Sequence, residues 1–220
     1  MGIASFSGAS SVIKPGVVTS STRPSTPFVG QLIYETDTAR VAAYNGSAWL
    51  GVGGLVCVKA ETAFTAASSI TADNVFTSSY SNYRLVINTT SAGNNVVNFR
   101  LRVGGVSAST NYNRQELSVF STSVAAARTS SATSGLLCYA NGALQYVGIL
   151  DLFGPQLAQP TQFFDVALNN GGTAPALYTS PELYLYAQNH STATAYDGIE
   201  ILSASNLTGV YSIYGYSKTV

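Results

Sequence analysis

Charge is what this chain has least of. Lys, Arg, Asp and Glu make up 9% of its 220 residues, against roughly 25% in an ordinary soluble protein. Ten basic and ten acidic residues cancel, and no basic cluster supplies the electrostatic footprint of a nucleic-acid binder. Nucleic acid is therefore excluded as a partner, and attraction to a membrane surface has no support. No stretch of about 18 apolar residues occurs, so no transmembrane helix and no membrane insertion are predicted. The opening Met1-Gly-Ile-Ala-Ser-Phe6 has no basic segment leading into a long apolar one, so no secretory signal is expected.

Residues that carry chemistry are equally scarce. The single histidine, His190, stands in the polar segment Gln188-Asn-His-Ser-Thr192 with no neighbouring cysteine or acid. It reads as a solvated loop residue, and neither a zinc site nor a Ser/His/Asp triad is indicated. The two cysteines, Cys57 and Cys138, lie in apolar strand-like contexts. Both are expected buried and reduced, as in a cytosol, with a disulfide brought about by strand pairing as the alternative. Glycoside hydrolysis asks for two carboxylates in register across a bond. Only Glu35/Asp37 and Asp197/Glu200 are close in sequence, and the first pair belongs to a turn. No catalytic residue, cofactor or metal is expected. The Asn-X-Ser/Thr triplets at Asn45, Asn88, Asn189 and Asn206 read as coincidences of a hydroxyl-rich sequence, given the absent signal.

What the chain has in abundance is hydroxyl, glycine and aromatic: 28 Ser, 22 Thr, 20 Gly, 14 Tyr and 9 Phe. Such a composition favours strands over helices. Near-zero net charge at low charge density also favours self-association, so a homo-oligomer is expected. The length fits one domain plus small appendages. Residues 1–18 show no period and read as an extended N-terminal arm. Residues 19–54 read as a β-hairpin connector ending in the glycine hinge Gly51-Val-Gly-Gly54, which lacks the Lys-Ser/Thr of a phosphate loop. Residues 55–220 form a succession of short strands separated by turns. These strands are expected at 55–59, 63–65, 74–76, 83–88, 96–103, 116–120, 136–139, 144–153, 162–168, 182–188, 198–202 and 210–217. The clearest alternation is Val97-Asn-Phe-Arg-Leu-Arg-Val103, apolar on one face and polar on the other. With no βα alternation, the fold class is all-β: an antiparallel β-sandwich of jelly-roll type, an immunoglobulin-like sandwich being the alternative. By alternation Tyr184 and Tyr186 share a face with Glu182, while Leu183 and Leu185 point into the expected core. Together with Tyr211, Tyr214 and Tyr216 they are candidate subunit-interface or sugar-stacking residues.

The most informative segment is Thr22–Trp49. Pro24 and Pro27 favour extended backbone, Gly30 permits a turn, and a strand follows at 31–35. Thr36-Asp37-Thr38 turns into a second strand at 41–44, and Asn45-Gly46 suits a type I′ turn that folds Trp49 back over Tyr44 or Tyr34. The pattern RPxxPxxGQxIYETDTxRxxxYNGSAW resembles a short module found repeatedly in tailed-bacteriophage fibre, tail and other virion proteins. Arg23, Pro24, Gly30, Tyr34, Asp37, Tyr44, Asn45, Gly46 and Trp49 carry that likeness. Segments of the remainder, Ser79–Asn88, Asn98–Gly105, Asn111-Tyr112, Gly198–Ser203 and Leu207–Ser217, are similar to the β-sandwich domain of phage virion proteins.

The resemblance implies a non-enzymatic virion component: a fibre, tail or decoration protein made in the bacterial host cytoplasm. Its N-terminal arm would dock on other virion proteins and its sandwich would project outward, with a trimer as the expected oligomer. The alternative it leaves open is a receptor-binding module whose polar loops around Asn111-Tyr112 and His190 grip a host surface glycan.

Overall fold

The computed structural model describes residues 15–51, 54–120, 122–140, 145–171 and 180–217, and these contain no helix. The chain divides into two compact units that part between Gly54 and Leu55.

The first unit is a four-stranded sheet of β1 (Gly16–Val18), β2 (Leu32–Glu35), β3 (Arg40–Tyr44) and β4 (Trp49–Gly51), hydrogen-bonded in that order. Gly30 has φ of +85°, the left-handed conformation that lets Gln31 N–H close a turn onto the Phe28 carbonyl at 3.0 Å. Ile33, Ala42 and Trp49 form a small core, and the Trp49 ring lies 5.4 Å from that of Tyr44. Two expectations are corrected. The boundary expected between arm and connector at residue 18 moves: Gly16–Val18, though extended, belongs to the sheet and pairs parallel with β2, satisfying an edge of β2 that the hairpin alone leaves open. Asn45-Gly46 does not form a type I′ turn. Gly46 has positive φ, but the loop runs over four residues, and the Asn45 side-chain oxygen accepts from Ser47 N–H at 2.9 Å and Ala48 N–H at 2.8 Å. Residues 1–14 of the arm and 52–53 of the glycine hinge lie outside the described residues.

The second unit contains β5 (Leu55–Ala72), β6 (Asn82–Ser91), β7 (Asn95–Val103), β8 (Val106–Ser107), β9 (Tyr112–Phe120), β10 (Ser123–Ala132), β11 (Gly135–Ala140), β12 (Tyr146–Phe153), β13 (Thr161–Gly171), β14 (Ser180–His190) and β15 (Gly198–Tyr216). The long β15 is its spine. Along one edge, Leu207–Gly215 pairs with β6 and Gly198–Ser203 pairs with β7. The opposite edge carries β5, so that Glu200 faces Arg100 on one side and Thr71 on the other. A break in register between Leu202 and Leu207 separates the two halves. From β6 one arm continues through β12, β13, β14, β9 and β10; from β7 a shorter arm continues to β11. Gly209 sits where β15 meets β6, and a Cβ there would collide with the Asn88 carbonyl.

The two arms face one another. Gln188 on β14 donates to the Leu136 carbonyl of β11 at 2.7 Å and accepts from Leu136 N–H at 3.0 Å, and Tyr146 on β12 donates to the Leu137 carbonyl at 2.8 Å. Phe99 of β7 packs edge-on to Phe163 of β13 at 4.8 Å. The result is an antiparallel, all-β, sandwich-like fold, as the alternation and composition predict, but it is made from one curled sheet and not from two separate ones. Gly104 and Gly105 both take positive φ in the two-residue turn joining β7 to β8, which requires it at both positions.

Three local expectations differ. Residues 74–76 are not a strand: Asn74 adopts φ of +58°, and Val75 and Phe76 tuck into the core while both their N–H groups bond the Asp197 carbonyl. The segments expected at 55–59 and 63–65 are one strand, β5. Strand β10, SVAAARTSSA, was not expected, because its small and hydroxyl side chains carry no alternation.

Candidate functional site

Cross-strand register orders the larger arm into rows that share one face. On the concave side one row runs Glu116, Tyr186, Asp165, Leu150, Leu85 and the next Ser118, Tyr184, Ala167, Gly148, Ile87. All ten are buried. Tyr184 and Tyr186 are thus core residues, not surface candidates, and Leu183 and Leu185 face outward instead. The reason is depth: the interior between the arms takes long aromatic side chains. Tyr184 bonds Glu182 at 2.9 Å, and its ring stacks on Tyr186 at 6.0 Å. Tyr211 is likewise buried, packed on Phe64 at 6.3 Å. Of the five tyrosine candidates only Tyr214 and Tyr216 keep partial exposure. The Tyr216 hydroxyl donates to Asp151 at 2.7 Å, whose carboxylate also pairs with Arg84 at 2.6 Å.

The polar-loop expectations are corrected as well. His190 is buried at the end of β14, its ring 4.6 Å from Tyr112 and 5.3 Å from Tyr196, with Tyr196 Oη 3.2 Å from Nδ1. Burial lowers its pKa and keeps it neutral near pH 7. Tyr112 is also interior, accepting from Leu101 N–H at 2.8 Å and donating to the Ala108 carbonyl at 3.2 Å. Both cysteines are free; Cys138 is buried, but Cys57 is exposed on β5, whose outer edge has no partner strand among the described residues.

The convex side of the same arm is apolar where a solvent-facing sheet would be polar. One row reads Val124, Val119, Leu183, Leu168, Val147 and the next Ala126, Leu117, Leu185, Val166, Ile149, Val86. Val124 is 68% exposed, Leu168 53%, Leu117 42% and Val147 38%. Six strands spaced ~4.8 Å apart make this ladder about 24 Å wide. It is bounded on one side by the Arg84–Asp151 pair and by Gln115 and Arg128, and it carries no charge of its own. Contiguous exposed apolar surface on this scale is uncommon on a monomeric soluble protein.

The first unit repeats the theme. Its inner face is the Trp49 core, while Val17, Tyr34 and Val41, cross-strand neighbours on the other face, are exposed, as are Leu32 and Leu50 in the next row. Other module residues have local duties. Arg23 binds Glu35 at 2.5 Å, Asp37 accepts from Ser20 N–H at 2.9 Å, the Tyr44 hydroxyl donates to the Gly46 carbonyl at 3.0 Å, and Pro24 is half-buried.

No family model matches this chain, and neither does any curated protein. Its reading rests on the residues themselves.

The carboxylates considered for hydrolysis are engaged in structure. Asp197 accepts from Gly104 N–H at 2.9 Å, and Glu200 bonds Ser69 at 2.7 Å and lies 3.8 Å from Arg100. Among the described residues no cluster of His, Cys, Asp or Glu could hold a metal ion. The outward ladder was missed from sequence. Its signal was present: in Tyr146-Val-Gly-Ile-Leu-Asp-Leu-Phe153 and Leu183-Tyr-Leu-Tyr186 large apolar side chains occupy both parities, which describes a strand covered on both faces.

Proposed function

We propose that this chain is a non-enzymatic structural component of a bacteriophage virion, a fibre, tail or decoration protein made in the host cytoplasm. It works as a homo-oligomer, with a trimer expected, whose N-terminal part docks on other virion proteins and whose sandwich projects from the particle. The observation that carries the structural role is the uncharged ladder on the convex face of β10, β9, β14, β13, β12 and β6. Its virion setting rests on the module spanning residues 22–49, which presents a second apolar face suited to docking. The engagement of Asp197, Glu200 and Glu35 in structural bonds supports a role without catalysis.

Sedimentation velocity tests the assembly. The wild-type chain is expected to sediment as a stable oligomer at micromolar concentration. Leu117→Lys places one cation per copy in the centre of the ladder and is expected to weaken association by at least about tenfold, equivalent to about 1.4 kcal/mol. Because Leu117 is exposed in the single chain, its melting as a monomer should change little. A wild-type chain that stays monomeric at high concentration would overturn the assembly role, and its absence from the density of purified particles would overturn the virion role.

A further inference from the structure

We propose that a polar depression on the convex face, floored by Ala187, binds a carboxylated saccharide. Ala187 of β14 pairs with Gln115 of β9 on one side and Phe164 of β13 on the other, and two positions along, Asn189 pairs with Asn113 and Gln162. Gln115 in turn pairs with Arg128 of β10. A methyl group thus stands among five polar side chains, and the open depression that they help to line has a volume of about 350 Å³. That is the lower end of the range for ligand pockets, too large for a single inorganic anion and suited to a mono- or disaccharide.

Several donors and acceptors in this depression are uncommitted. Gln115, Gln162 and Arg128 make no side-chain hydrogen bond or ion pair with any described residue. Asn113 donates to the Asn189 side-chain oxygen at 2.8 Å and accepts from Ser131 N–H at 3.0 Å. This fixes both amides and leaves the Asn189 amide group free to donate.

Side-chain amides donate and accept at adjacent atoms, as vicinal sugar hydroxyls require, and a free guanidinium takes a carboxylate in two parallel bonds. No acid lines the depression; Glu116, next to Gln115, belongs to the buried face, and Asp151, farther along the row of Ala187, is paired with Arg84. The field inside is therefore positive and favours an acidic over a neutral sugar. With no carboxylate in reach, the site binds without cleaving. This proposal stands on the depression alone and does not depend on the assembly described above.

Calorimetric titration of the full chain with trigalacturonate, and with maltotriose as the neutral counterpart, provides the test. Trigalacturonate is expected to bind saturably with Kd on the order of 1 mM or tighter, and maltotriose at least about tenfold more weakly. Arg128→Gln should weaken trigalacturonate at least about tenfold without moving the melting temperature, since Arg128 is exposed and unpaired. Ala187→Leu, which fills the floor, should abolish binding while the fold is retained. Absence of saturable binding, equal affinity for both sugars, or unchanged affinity in Arg128→Gln would each overturn the proposal.

Discussion

Replacing Glu35 with Gln is expected to unfold the N-terminal unit at neutral pH while the sandwich unit stays folded. The Glu35 carboxylate is fully buried and holds three partners at once. Arg23 Nε lies 2.5 Å from Oε1, Arg40 Nε 3.1 Å from Oε2, and the Thr38 hydroxyl donates to Oε2 at 2.8 Å. Removing one partner of such a buried arrangement costs about 3–5 kcal/mol, because the remaining charges lose their compensation. A small sheet whose core is Ile33, Ala42 and Trp49 has little stability beyond that amount. Trp49 is the only tryptophan in the chain and is buried in that core, so its fluorescence reports on this unit alone. A red-shifted emission in Glu35→Gln at pH 7, with the sandwich transition unchanged by calorimetry, is the expected result. A native emission maximum and wild-type melting of the first unit would show that the arginines are satisfied without it.

The same carboxylate sets an acid limit. Burial alone would raise the Glu35 pKa, but hydrogen bonds from Arg23, Thr38 and Arg40 outweigh it, and the pKa falls below the ordinary 4.5. The folded unit therefore releases this proton more readily than the unfolded chain. Its stabilisation is complete above pH 4.5 and is lost as pH falls through the lower folded value.

How much of this was legible beforehand follows from which forces write themselves into local sequence. Pro24 and Gly30 act on adjacent backbone, so β2, β3 and the turn at Gly30 could be placed nearly to the residue, whereas β1 and the form of the Asn45–Ala48 loop could not. Glu35, by contrast, looked like turn chemistry beside Asp37, although its role is to gather Arg23 and Arg40 from either side. In the sandwich unit the period of two marked β7 correctly, since Val97, Phe99 and Leu101 face the core. The same rule assigned the wrong parity to β14, where both sets of side chains are large and apolar and polarity alone cannot say which set is covered. Tyr184 and Tyr186 went inward because register sets them beside Ser118 and Ala167, and Glu116 and Asp165, facing the second arm. That arrangement exists only after the sheet has curled. His190 was misread for the same reason: the rings that enclose it, Tyr112 and Tyr196, belong to other segments.

Asp165 should prove a liability, so that Asp165→Asn raises the melting temperature of the sandwich unit at pH 7.5. The residue sits mid-row between Tyr186 and Leu150 on the concave face, fully buried, and neither carboxyl oxygen has a hydrogen-bond partner among the described residues. The Tyr186 hydroxyl beside it is also unpartnered. An ionised carboxylate is not tolerable in such a place. Burial, with a smaller contribution from the charge of Asp151, pushes its pKa well above the ordinary 3.8, so the folded unit retains a proton that the unfolded chain gives up. The sign is opposite to that of Glu35. Stability is unaffected below pH 3.8 and declines as pH rises from there to the folded value, by about 1.4 kcal/mol for each unit crossed. Asparagine keeps the shape and removes the ionisation, so the gain should vanish near pH 4 and grow towards pH 7.5. It should there raise the midpoint by at least a few degrees, at about 2–4 °C per kcal/mol for a domain of this size. The two calorimetric transitions of the wild-type chain should accordingly move in opposite directions with pH, the first unit weakening in acid and the second in base. A lower midpoint for Asp165→Asn at pH 7.5 would overturn this and mean that the carboxyl group stabilises the core as it stands.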